Sequence, residues 1–365
     1  MSNRNRPLVI AVAAVAVIAV AGGGLLAAAR GPQNQSGAAA APLTQAPPSK
    51  TLPLTVKVDA PKLTTGQGPQ VAYVRGRTVM GGIGKPVQVP GTRNIDGVVR
   101  LWDETLTLQV DSTPKGTLVV QDSQGKVLRE DAGIDSLVGS ADGDAVAYGD
   151  GDRFAAVRQG GTVYYEKPGG PAVKLAQPKS WGLEVLSVAD KTVFFSSTAT
   201  PGGTASLYRW TVGQQTATVV PKLTSPLAVS SDGTLGASLP VFTDSGVCSA
   251  LTDLATGLQR WKSCQYRLDH FSPGNAFVIG LPPDTGGSVG VEALSAVNIK
   301  TGKPIRTWTA SVISRQVAED DDHVLFQWYA EEDVRSNSAI VRCTVSTGEC
   351  ELATPLAKEP LLLGS

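Results

Sequence analysis

Seven glycines, at positions 84, 125, 169, 213, 257, 302 and 348, recur at intervals of 41, 44, 44, 44, 45 and 46 residues. A period of that size marks one supersecondary unit copied along a chain. The fullest copy is Asp253-Leu254-Ala255-Thr256-Gly257, with Trp261 four residues on, and it echoes at Asn298 to Gly302, Thr344 to Gly348 and Asp122 to Gly125. Alternating apolar residues lead into each turn and a second short run leaves it. An Asp or Asn opening such a turn bonds its own backbone two residues on, and Gly supplies the positive φ that reverses the chain.

Counting outward from each glycine gives four short strands per unit. The fifth unit is expected at 227–230, 234–240, 247–253 and 258–262, the sixth at 268–271, 275–281, 290–298 and 304–308, and the seventh at 315–318, 323–329, 338–344 and 349–353. Polar turns such as Ser231-Asp232-Gly233 and Ala141-Asp142-Gly143-Asp144 link first to second strands. With 40 Gly, 24 Pro and no long helix-period stretch after residue 30, the chain is expected to be all-β. Four-stranded antiparallel units of this length, copied seven times, predict a seven-bladed β-propeller over residues 53–355. The ends leave ring closure open. Leu54 to Val58 suits an innermost strand of the first blade or an outer strand of the last, and Leu361 to Leu363 is a third candidate inside the tail 356–365.

Residues 8–29 form a run of 22 without charge, behind a stub 1–7 that carries Arg4 and Arg6. As a helix it is roughly 33 Å long, enough for a bilayer core. Its basic amino side favours a cytoplasmic N-terminus and an exported remainder. Its length favours a retained transmembrane anchor over a cleaved signal peptide. Residues 30–52, rich in Gln, Ala, Pro and Ser, read as a flexible extracytoplasmic tether.

The four cysteines permit three pairings. Cys248 and Cys264 straddle the turn at Gly257, and Cys343 and Cys350 straddle Gly348, so hairpin geometry pairs 248 with 264 and 343 with 350. Disulfides suit an exported domain. Lys plus Arg and Asp plus Glu both count 32, so no basic stripe argues for nucleic acid.

The segment Asp253 to Trp261 resembles the D-x-x-T-G-x-x-x-W repeat of quinoprotein-like propellers, and the blade layout is similar to that of WD-repeat-like (WD40-like) propellers of exported bacterial proteins. Trp308 departs from the pattern, coming six residues after Gly302. The dehydrogenases of the resembling family have eight blades, a vicinal cysteine pair and calcium-binding acids. Adjacent cysteines are absent here, so no cofactor is expected.

Gly286, Ser288 and Gly290 match the G-x-S-x-G letters of serine hydrolases but lie between two strands, without the strand–turn–helix context that chemistry needs. The carboxylates at Asp142 to Asp152 and Glu319 to Asp322 lack calcium-loop spacing and read as solvated turns, with no metal expected. His270 and His323 fall on or beside expected strands and read as structural. Longer loops at 198–204, 240–246, 281–290 and 330–338 gather on one rim, where binding function concentrates. Candidate binding residues there are Trp181, Asp284, Tyr329, Glu331, Glu332, Asp333 and Arg335. The sequence therefore predicts a non-catalytic binding, scaffold or sensor module, tethered to the cell membrane and facing a protein, peptide or glycan of the envelope. The alternative is a propeller hydrolase or lyase with a site at the channel mouth; a buried cluster of His, carboxylate and metal there would favour it, and an uncharged or apolar channel with a broad rim patch would favour binding.

Overall fold

The seven periodic glycines all adopt positive φ, from +66° at Gly169 to +128° at Gly84. Asp253 Oδ1 accepts from the Ala255 and Thr256 amides at 3.2 and 3.1 Å, and Asn298 Oδ1 from Lys300 and Thr301 at 2.9 and 3.1 Å. The Gly257 and Gly302 amides then close the turns onto the Asp253 and Asn298 carbonyls at 2.8 and 2.9 Å. A second landmark recurs between first and second strands. Ser140, Ser230 and Ser272 each accept, through the hydroxyl, from a backbone amide four or five residues on. Gly143, Gly233 and Asn275 reverse these turns at φ +72°, +69° and +60°.

The computed structural model describes residues 54–111, 116–151, 158–243, 246–283 and 290–364. Blade 2 comprises Asn94–Leu101, Glu104–Val110, Gly116–Gln121 and Val127–Ile134, and blade 3 Ser136–Gly139, Val146–Asp150, Gly161–Glu166 and Val173–Gln177. Blade 4 comprises Trp181–Ala189, Thr192–Thr198, Ser206–Thr211 and Thr218–Thr224. Blade 5 comprises Pro226–Val229, Leu235–Thr243, Gly246–Asp253 and Leu258–Ser263. Blade 6 has Arg267–Phe271, Phe277–Leu281 and Val291–Asn298. Its outer strand runs on as Pro304–Ala318, one 15-residue strand that becomes the innermost strand of blade 7. His323–Tyr329, Ser338–Thr344 and Cys350–Leu352 complete that blade. With blade 1, the described residues form seven four-stranded antiparallel sectors, a β-propeller.

The ring is closed by the chain's end. Leu361–Leu363 pairs antiparallel with Tyr73–Arg75 as the innermost strand of blade 1, ahead of Thr78–Met80 and Val87–Gln88. The expected tail is thus not apart from the propeller over its described residues 356–364, because Leu363 fills an apolar cluster with Tyr73, Leu325 and Ile340. Thr55–Lys57 is neither an innermost strand nor an addition to the last blade. It pairs in parallel with residues 307–309 on the outer edge of blade 6, and Thr65 bridges Leu352 on blade 7. Residues 54–70 form a strap over two blade edges.

The core lies between the faces of neighbouring blades. Leu101, Leu106, Leu118, Ile134, Val146 and Tyr148 join blades 2 and 3, and Leu175, Leu183, Phe195 and Trp210 join 3 and 4. Each such buried side chain contributes about 1.5–3 kcal/mol. The outer strands also lock sideways. The Trp261 indole donates to the Ile299 carbonyl of the next blade at 2.8 Å, and Trp308 to Gly348 at 3.4 Å. Trp308 performs the same docking at its changed spacing because four and six residues past the glycine fall on one strand face.

Both disulfides are present, Cys248 to Cys264 and Cys343 to Cys350. Cys343 lies opposite Cys350 in register, and Cys248 continues the register that sets Ser249 against Ser263. Two such bridges fit an oxidising, extracytoplasmic compartment. The stub 1–7, the expected span 8–29 and the linker 30–52 lie outside the described residues. Among the described residues no helix is long and apolar enough to cross a membrane.

Candidate functional site

Seven innermost strands surround a central cavity of about 840 Å³. Its lining runs from inner-strand residues such as Val99, Leu137, Val185 and Phe271 out to the turns joining first and second strands. The cavity therefore reaches the face opposite the rim that carries the longer loops.

Two polar pairs sit in this mainly apolar wall. Arg315 on blade 7 donates to Asp96 Oδ1 on blade 2 at 2.9 Å, across the innermost strand of blade 1. On blade 6, Asp269 Oδ2 meets His270 Nδ1 at 2.9 Å and accepts from the Gln316 amide of blade 7. Burial pushes the Asp269 carboxyl upward, but His270, Gln316 and Arg267 outweigh it and hold the group below its ordinary range. Conversely, Asp269 holds the His270 imidazole above its ordinary value, against burial and Arg315. The His270 side chain keeps 41 % of its surface accessible, so it faces a wet cavity.

At the mouth stands Trp102, in the first turn of blade 2. Its φ is +52°, a backbone region that bulky side chains rarely occupy, and it is 60 % exposed. Its indole N–H donates to Asp144 Oδ1 of the neighbouring blade at 3.0 Å, which fixes the ring. Ile83, Asp103 and Asp142 border it on the same mouth. Asp142 is held below the usual carboxylate range by the Ser140 hydroxyl, against burial.

The rim residues expected from sequence scatter. Trp181 opens the innermost strand of blade 4, half-buried and paired with Thr198. Glu331, Glu332, Asp333 and Arg335 lie exposed on a turn pinned by Arg335 N to Asp333 Oδ1 at 2.9 Å and Ser336 N to Asp333 O at 2.8 Å. Tyr329 does not belong to that loop. It ends the second strand of blade 7 at 6 % exposure, and its hydroxyl accepts from Gln327. With Gln327, Val334 and Arg315 it lines a smaller cavity of about 370 Å³. Residues 240–246 are mostly strand rather than loop, because Val241, Phe242 and Thr243 stay paired with Cys248, Val247 and Gly246. Asp284 and Ser288 lie outside the described residues, as does Asp152.

Glu319 also corrects an expectation. Its side chain is not solvated but 1 % exposed, and it receives Arg342 Nε at 2.5 Å, a second Arg342 nitrogen at 2.8 Å and the Gln70 amide at 2.6 Å. His323, by contrast, stays within its own turn, bonded to Asp320 at 2.8 Å. Among the described residues no group of three or more His, Cys, Asp or Glu is arranged to hold a metal ion. Sequence reasoning missed Trp102. Its signal is a bulky residue in a Leu-Trp-Asp-Glu turn that carries no Gly, Asn or Pro.

No protein-family model and no curated protein sequence matches the chain. Among solved structures, an uncharacterized protein of Listeria monocytogenes EGD-e aligns at TM-score 0.50 with 11 % identity, over 75 % of this chain and 88 % of that one. A prolyl endopeptidase aligns at TM-score 0.51 with 13 % identity, over 83 % of this chain and 50 % of that one, so the chain spans about half the peptidase's length. The β-propeller domain of the Trilobed protease from Pyrococcus furiosus aligns at 0.48 with 9 % identity, over 72 % and 85 %. At these identities likeness concerns the fold alone.

Proposed function

We propose that this chain is a non-catalytic binding module, held outside the cytoplasmic membrane by its N-terminal segment, that receives an envelope protein, peptide or glycan at the channel mouth. One observation carries the reading. A cavity of about 840 Å³, within the range of ligand sites, runs from the inner strands to a mouth where an exposed tryptophan is held in a fixed orientation. An aromatic platform over a concave, mainly apolar wall is the composition of recognition sites. The exposed turn Glu331 to Arg335, on the opposite rim, is a second surface for the same role.

The enzyme reading has one observation in its favour, the Asp269–His270 pair on the channel wall. A carboxylate that orients an imidazole is how a general base is built. Among the described residues no hydroxyl or thiol is hydrogen-bonded to His270, whose ring bonds Asp269, so the pair is not joined to a nucleophile.

A photo-crosslinking benzoylphenylalanine placed at position 83, on the mouth, and at position 332, on the rim, separates the surfaces. The reading expects a discrete adduct in intact cells from position 83. Adducts from position 332 alone would move the site to the rim, and none from either would end the binding reading.

A further inference from the structure

Resting on the reading just given, we infer that the channel mouth takes a peptide segment bearing lysine or arginine, with Trp102 as the platform for its cationic side chain. The first ground is charge. The whole chain is neutral, with 32 basic and 32 acidic residues. The cavity wall is not, for it holds seven carboxylates and two arginines. Inside the channel that charge is largely answered. Asp96 faces Arg315, Asp269 faces His270, and Glu319 is clasped by Arg342. At the mouth three carboxylates stand against one cation, Arg100 beside Gly84, which is bonded to the Thr105 hydroxyl and to the Val79 and Lys85 carbonyls. Asp103, Asp142 and Asp144 are exposed, and none forms an ion pair among the described residues. Asp142 bonds the Ser140 hydroxyl at 2.5 Å and the Asp144 amide at 3.0 Å, hydrogen bonds that leave its charge in place.

The second ground is independent of the carboxylates' number. Trp102 presents 60 % of its surface at the mouth, and its indole edge is tethered to Asp144, so the ring face is fixed while the carboxylate stays beside it. A lysine or arginine head over that face gains from the ring quadrupole and from Asp144 and Asp103 together. Its methylene stem has Ile83, 78 % exposed, to lie against. Neutral sugars stack on tryptophan but draw nothing from the excess of acid, and polyanions are repelled by it. An excess of carboxylates at the opening raises the local concentration of a cationic segment.

The test uses the full chain in neutral detergent, titrated calorimetrically with three probes. These are a ten-residue peptide alternating lysine and alanine, the same peptide with every lysine acetylated, and a hexasaccharide of N-acetylglucosamine. The lysine peptide should bind, more weakly as salt rises, and acetylation should weaken it at least about tenfold. Trp102→Ala should weaken it about tenfold, Trp102→Phe much less, and Leu258→Ala, exposed on the outer strand of blade 5, should leave it unchanged. Thermal unfolding of each variant separates lost binding from lost fold. Equal affinity for the acetylated peptide, or Trp102-dependent binding of the hexasaccharide alone, would overturn the cationic partner and leave the mouth as the site. Lysine-peptide binding indifferent to Trp102→Ala would remove the platform. No binding by the lysine peptide at millimolar concentration would overturn the inference, while crosslinking at position 83 still decides the binding reading.

Discussion

Arg342 offers the sharpest test of how this ring is closed. It lies on the third strand of blade 7, and its side chain is 8 % exposed. All five guanidinium donors are used. Nε and one terminal nitrogen bond Glu319, at 2.5 and 2.8 Å, and Glu351 accepts from the other terminal nitrogen at 2.9 Å. The two remaining donors bond the carbonyls of Gln67 and Gly68, at 2.8 and 2.9 Å. One side chain thus ties a buried acid to the strap that leads into blade 1. Arg342→Met keeps the packing volume but strands the Glu319 carboxylate and two carbonyls. Breaking a buried pair from one side costs about 3–5 kcal/mol. The bond to Glu351, a partly exposed acid, adds less than about 1 kcal/mol. Against a domain stability of about 5–15 kcal/mol, the loss is large. The urea midpoint followed by tryptophan fluorescence should fall accordingly, and amide exchange should rise first over residues 64–72. Arg342→Met with Glu319→Leu should recover part of the loss, since no buried charge is left unpaired and only the Gln67 and Gly68 carbonyls and the Gln70 amide lose a partner. A single variant costing under about 1 kcal/mol, or a double variant no better than the single, refutes the reasoning.

Two further outcomes follow. The raised His270 value means its pairing stabilises the fold fully below about pH 6.5 and is lost as pH rises through the raised value, while the lowered Asp269 value contributes above about pH 3.9 and is lost as pH falls through the depressed one. The urea-midpoint difference between wild type and Asp269→Asn should therefore be largest between about pH 4 and 6.5, and a difference flat from pH 4 to 8 refutes the pairing. At the turns, Gly302→Ala places a Cβ 2.8 Å from the Trp261 ring, whereas a Cβ on Gly213 meets no heavy atom within 4 Å. Both pay the left-handed backbone cost of about 1–2 kcal/mol, but Gly302→Ala should lower the melting temperature clearly further; equal shifts would show that Trp261 docking is worth nothing.

Much of the fold was legible because its instructions are local. An Asp or Asn, a Thr and a Gly within five residues close a hairpin whatever surrounds them, so the turns at Gly257 and Gly302 and the strands flanking them fall where the period sets them. The disulfides follow from the same register, since Cys343 and Cys350 cannot avoid facing each other across their turn. The site was legible only in part. His270 and the acids at 142 and 144 stood out, yet their convergence on one channel did not, and Trp102 carries no period at all.

What the sequence alone determined is the repeated sheet unit, its copy number and its sulfur staples, all consequences of chemistry acting across a few residues. The tertiary structure decided which segment closes the ring, which edge the strap covers and which mouth the cavity reaches. Those choices depend on partners as far apart as Arg342 and Gln67, separated by 275 residues. Such partners meet only after every intervening blade has set its angle, and no local pattern of residues encodes that sum.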